Sequence, residues 1–196
     1  MLTPRAVRAR PAIGVAFDLP WPWGGERFEL RDIKSLNYIV GPLGSGKTRL
    51  AQRLAEALPG ASFVGLDRAA DGGAAVRARL DADPAHKARV EASLAVLLAD
   101  GAVDSPALIT LLAVLEADDG AIPVIDMLEQ GLDAASQEAV IAHLRRRGPE
   151  ARPLFFLTRS NAILDLDAVG DDEAIILCPA NHSLPICVRP IPGAVG

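Results

Sequence analysis

The chain has 196 residues, a net charge of −5, half of its residues apolar and only two cysteines. That length suits one domain with a full core, expected over 1–196, and two cysteines are too few for a disulfide framework. No stretch approaches the roughly 18 uninterrupted apolar residues of a membrane span, and Arg5, Arg8 and Arg10 lead into no apolar signal segment. A soluble cytoplasmic protein without a membrane span is expected, and the acidic balance disfavours nucleic acid as a partner.

Along the chain, Ile13 to Phe17 and Arg27 to Leu30 read as strands joined by Pro20-Trp21-Pro22-Trp23-Gly24-Gly25. Leu36 to Val40 reads as a buried strand, and Thr48 to Leu58 as an amphipathic helix closed by Pro59-Gly60. Ala61 to Leu66 is a short strand ending at Asp67, and the Ala-rich stretch 72–100 reads as two helices. Asp83 caps the second of these, with Pro84 at its first position. Ser105-Pro106 repeats that signature before Leu108 to Leu115, a helix apolar nearly all round, which belongs in the core or against a partner.

Ala121 to Asp126 is a buried strand carrying an awkward Pro123. Ala134 to Arg147 is a helix ending in Arg145-Arg146-Arg147, a run that suits the negative end of the helix dipole. Pro153 to Thr158, a short helix and Glu173 to Cys178 complete the alternation, and an irregular tail follows. Cys178, His182 and Cys187 lack zinc-knuckle spacing and read as structural. Strands alternating with helices predict an α/β sandwich in three layers, with a mainly parallel sheet and antiparallel strands at its N-terminal end.

Between the strand at 36–40 and its helix lies Gly41-Pro42-Leu43-Gly44-Ser45-Gly46-Lys47-Thr48, which spells G-x-x-x-x-G-K-[ST]. Glycines let successive backbone N–H groups wrap a phosphate. Lys47 brings a positive charge to the β/γ-phosphates, the Thr48 hydroxyl suits Mg²⁺, and the helix start adds positive dipole. The pattern is that of P-loop NTPases, and it makes residues 41–49, Arg49 included, the expected nucleotide-binding segment. Asp126, closing a hydrophobic strand, is the expected second holder of the Mg²⁺ shell.

Asp126-Met127-Leu128-Glu129-Gln130-Gly131-Leu132-Asp133 resembles the D-E-P-x-x-G-L-D segment of ABC-type ATPases. In that resemblance Asp133 reaches toward a second subunit, and Ser105 stands where that family has its signature serine. Phe155-Phe156-Leu157-Thr158-Arg159 stands where the family's strand ends in its switch histidine, and Trp21 or Trp23 is placed to stack on adenine. The resemblance implies ATP and Mg²⁺ as ligands, a reduced helical subdomain, and a homodimer or partner protein closing over the nucleotide.

The departures bear on chemistry. Met127 replaces the water-polarising glutamate, Arg159 replaces the histidine, no glutamine lies between the first helix and Asp126, and Ser105-Pro106-Ala107 loses the signature glycines. Binding through Lys47, Thr48 and Asp126 is expected to survive while hydrolysis slows, since water activation is typically worth about 10²- to 10⁴-fold. Glu129 is the candidate replacement carboxylate and Arg159 a candidate stabiliser of the γ-phosphate, giving Lys47, Asp126, Glu129 and Arg159 as the candidate catalytic set. The leading expectation is an ATP-dependent switch or assembly factor. A compact kinase using Asp67 with Arg77, Arg79 and Arg89, and a nucleotide-binding scaffold without turnover, are the alternatives.

Overall fold

The computed structural model describes residues 13–189; Arg5, Arg8, Arg10 and the end of the Pro/Gly-rich tail lie outside them. β1 (Val15–Asp18) and β2 (Arg27–Leu30) pair antiparallel as a separate two-stranded sheet. Their period-two pattern turns Val15, Phe17, Phe28 and Leu30 inward.

The main sheet contains β3 (Leu36–Val40), β4 (Ala61–Val64), β5 (Ile122–Ile125), β6 (Leu154–Leu157), β7 (Glu173–Leu177) and β8 (Ile186–Val188). Their order is β4-β5-β6-β3-β7-β8, parallel throughout except for β8 on β7. The tail expected to be irregular therefore contributes a strand, with Ile175 opposite Val188 and Leu177 opposite Ile186. Three residues of strand among prolines carry too little periodicity to be seen without the edge they complete.

Both sides of the sheet are covered, which is why its strands read as continuous apolar runs. Tyr38 and Phe156 pack into one core, while their neighbours Ile39 and Phe155 pack into the other. On the Ile39 side lie α1 (Lys47–Ala57), through Leu50, Ala51 and Leu54, and the β1–β2 hairpin. On the Tyr38 side lie α2 (Ala74–Ala82), α3 (Pro84–Ala99), α4 (Pro106–Leu115) and α5 (Ala134–Arg146). These are the three expected layers.

Leu108, Leu111, Leu112 and Leu115 of α4 are all buried, so the apolar helix is a core element, with Ala107, Ile109, Ala113 and Val114 half-buried. At roughly 1.5–3 kcal/mol for each large apolar side chain removed from water, α4 is among the chief anchors of the helical layer. The short helix expected before β7 is a 3₁₀ turn at Leu166–Ala168.

Pro123 sits within β5, opposite Ser62 of β4. Ile122 and Asp126 donate their N–H groups to Gly60 and Val64 on the β4 side. The donor missing at Pro123 therefore falls on the β6 side, where pairing begins only at Val124. The arginine run is spent internally. Arg145 binds Glu173 at 2.8 Å, Glu173 also accepts the Tyr38 hydroxyl, and Arg146 pairs with Asp100. Burial pushes the Arg147 guanidinium down, with Glu116 opposing that shift.

Candidate functional site

The phosphate loop leaves the C-terminal end of β3, where its neighbours β6 and β7 lead to different connections; crevices outside strand ends of this kind are where open α/β sheets bind ligands. Two glycines are required by close approach. Gly41 has φ +146, and a Cβ there would lie 2.1 Å from the Cys178 carbonyl oxygen. Gly46 has φ +92, and a Cβ there would meet the Trp23 ring at 2.6 Å. Gly46 is also the N-cap of α1, with no side-chain cap and no acidic residue in the first turn. The first amides of α1 thus have no side-chain acceptor, the condition that suits an anion.

Lys47 is 6 % exposed. Its ammonium donates to the carbonyls of Gly41 at 2.8 Å and Pro42 at 2.7 Å, and so lies folded into the loop. Burial, and next the positive charge of Arg159, pull its pKa below the usual lysine value. The Thr48 hydroxyl donates to Asp126 Oδ2 at 3.1 Å, joining loop and strand end. The Ser45 hydroxyl is buried in the loop with no partner among the described residues. These groups fit Mg²⁺–nucleotide: hard oxygen donors sit together at Thr48 and Asp126, and a buried hydroxyl and a buried ammonium have no anionic partner.

A cavity of about 310 Å³ runs over this loop, lined by Gly44, Gly46, Lys47, Thr48, Arg49 and Leu43 together with Asp126, Met127 and Arg159. Because β6 lies between β3 and β5, the residue after Thr158 is carried between the loop and Asp126, and Arg159 reaches the cavity. Glu129 stands beside that wall. Its Oε1 accepts the Arg159 N–H at 2.8 Å, and its buried Oε2 has no partner among the described residues. Met127 has φ +49, rare for a side chain other than glycine, asparagine or aspartate.

Arg68 is a participant that the sequence analysis missed. Its guanidinium donates to the carbonyls of Gly65, Asp126 and Met127, at 3.1, 2.7 and 2.6 Å. It thereby pins the turn that carries Asp126 to the end of β4. Burial lowers its pKa. No local motif marks it, since its three acceptors are main-chain atoms, two of them nearly 60 residues away.

The two tryptophans divide their roles. Trp23 is buried behind Gly46, and its Nε1 donates to the Ser183 carbonyl at 3.0 Å. Trp21 is 68 % exposed and lines the cavity with His182. The Arg49 guanidinium rests 4.8 Å from the Trp21 ring. Cys178 is buried, with its thiol pushed up to about 11 by burial, and no cluster of three metal-ligating side chains occurs among the described residues.

Ser105 and Asp133 occupy neighbouring turns: a Cβ at Gly131 would lie 2.9 Å from the Ala107 side chain. Both are helix caps. Ser105 accepts the Leu108 N–H at the start of α4, and Asp133 accepts the Ser136 N–H at the start of α5. Hydrogen bonds from Ser136 hold the Asp133 carboxyl below the usual range. A second cavity, about 870 Å³, lies between β4 and helices α2 to α4, and its lining includes Asp67, Arg68, Arg79 and Arg89. Arg77 is not in that lining; it binds the Gly72 carbonyl.

Solved structures share this architecture. The head domain of an SMC protein from Thermotoga maritima superposes with a TM-score of 0.61 at 11 % identity, covering 92 % of this chain and 99 % of that one. A bacterial Atm1-family ABC exporter solved with ATP bound superposes with a TM-score of 0.51 at 17 % identity. That match covers 87 % of this chain but 39 % of the exporter. No protein-family model and no curated protein matches the chain. The fold is therefore that of ABC-type P-loop ATPase domains, and no helix among the described residues is long and apolar enough to cross a membrane.

Proposed function

We propose that the chain binds Mg-ATP and works as a slowly hydrolysing, nucleotide-controlled switch or assembly factor. The observation that carries this reading is the junction of β3 and α1: an uncapped helix start, a left-handed Gly46 and a buried Lys47 ammonium with only carbonyl partners. On this reading the loop amides of residues 41–48 and Lys47 take the phosphates, and Thr48 and Asp126 hold the metal shell. Mg²⁺ neutralises charge on the β- and γ-oxygens when bound. Lys47 leaves its two carbonyls for the phosphate, and Arg159 faces the same space.

Slow turnover follows from the Met127 side chain, which has no group to accept a proton from water. Glu129 is the carboxylate at hand, its Oε2 free while Oε1 steadies the Arg159 backbone. The surface bearing Ser105 and Asp133 is the proposed contact for a second copy or a partner. Met127→Glu is expected to raise ATP hydrolysis by about 10²-fold, measured as phosphate release at saturating Mg-ATP; an unchanged rate would mean that Glu129 or another group already does that work. Light scattering with and without Mg-ATP tests the switch, with a nucleotide-dependent rise in mass expected. A monomer mass that ATP leaves unchanged, with no partner captured, counts against it.

The cavity between β4 and helices α2 to α4, with Asp67, Arg79 and Arg89 in its lining, favours a second reading, phosphoryl transfer to a small hydroxylated acceptor. Label from γ-labelled ATP appearing on a metabolite, and not in free phosphate, is the result that selects it.

A further inference from the structure

The turn between β7 and β8 takes a left-handed form that fixes where its side chains stand. Asn181 and His182 are consecutive residues with φ of 58 and 56, a left-handed pair without a glycine. Asparagine and histidine enter this region more readily than most side chains, but as single residues more often than as a pair. Here the pair sets the His182 imidazole over the phosphate loop. Its Nε2 lies 3.3 Å from the Gly44 carbonyl oxygen, and its ring centre is 6.4 Å from that of Trp21, tilted by 45°.

Both rings line the cavity that also holds Lys47, Thr48 and Asp126. A planar group sandwiched between two rings needs twice the carbon contact distance of about 3.5–4 Å, or roughly 7–8 Å. The observed 6.4 Å falls short of that by about 0.6–1.6 Å with the rings tilted by 45°, and because both side chains are exposed they are free to turn and face a base between them. Trp21 is steadied by the Arg49 guanidinium, and His182 by the turn it sits in.

We infer that His182 is the second wall of a clamp for the nucleotide base, opposite the Trp21 ring that the resemblance already offers for stacking; no motif marks it. The inference rests on the Mg-ATP reading above and adds the recognition of the base. Stacking reads the π-face of a base and not its edge, so purine triphosphates are held alike.

The test is calorimetric titration of the full chain with ATP, GTP and inorganic tripolyphosphate in magnesium buffer. His182→Ala is expected to weaken ATP and GTP about tenfold each and to leave tripolyphosphate unchanged. His182→Phe, which keeps a ring and loses the contact to Gly44, is expected to stay near the wild-type affinity for ATP. Equal weakening of ATP and tripolyphosphate by His182→Ala overturns the clamp, because His182 would then act through the loop. Wild-type affinity for ATP in His182→Ala overturns it as well. If the unmodified chain binds neither ATP nor tripolyphosphate, the nucleotide reading itself has failed and the clamp goes with it.

Discussion

The start of α1 and the starts of α3, α4 and α5 solve the same problem in opposite ways. Each helix begins with amides that lack intrahelical acceptors. Asp83, Ser105 and Asp133 close α3, α4 and α5 with side-chain oxygens, and Asp71 serves α2 through the N–H groups of Gly73 and Ala75. Only α1, among the described α-helices, has no side-chain oxygen there, and it begins with a glycine that no other residue can replace without collision. A side-chain cap is worth typically about 1 kcal/mol, so the chain forgoes at α1 what it takes elsewhere. The difference separates helix ends that hold the fold together from the one left for a ligand.

That contrast can be broken most sharply at Lys47. Lys47→Ala is expected to weaken ATP by about 100-fold or more, the worth of a buried charge-assisted contact, with melting temperature little changed; titration calorimetry beside a thermal melt reads both. ATP affinity that survives the substitution would remove α1's special status. Gly46→Ala strikes the backbone instead. A left-handed alanine and a methyl forced into the Trp23 ring together cost about 3 kcal/mol in chemical denaturation, and part of that cost should return when Trp23 is shortened to leucine. The mildest probe is the capped partner: Ser105→Ala should lose about 1 kcal/mol of stability and leave ATP affinity of the monomer untouched. A change in that affinity would show that α4 belongs to the site after all.

Much of this was legible because it is local. The loop, its strand and its helix occupy one stretch of sequence, and the caps at Asp83 and Ser105 announce themselves through the proline that follows each. What stayed hidden depends on pairing across the chain. Nothing between residues 121 and 158 says that β6 inserts itself between β5 and β3, although that insertion brings Arg159 to the cavity. Sequence offered Trp21 and Trp23 as equals, and only the packing of Trp23 behind Gly46 separates them. His182 read as a possible companion of two cysteines, and its left-handed turn became visible only beside Gly44 and Trp21. Arg68 escaped notice because a guanidinium bound to carbonyls leaves no complementary acid to search for. Glu129, by contrast, was legible as a carboxylate near the site, and its hold on the Arg159 backbone was not.

The indole of Trp23 backs the phosphate loop from one side of the molecule, and the carbonyl that fixes it belongs to Ser183, 160 residues later. During synthesis, a nascent polypeptide that has not yet emerged past that serine already carries every residue of the G-x-x-x-x-G-K-[ST] loop but not the brace behind it. Long-range closures of this kind come late in folding. On the Mg-ATP reading, newly made chains should therefore gain their full grip on nucleotide only once Ser183 has left the ribosome, however early the loop itself emerges.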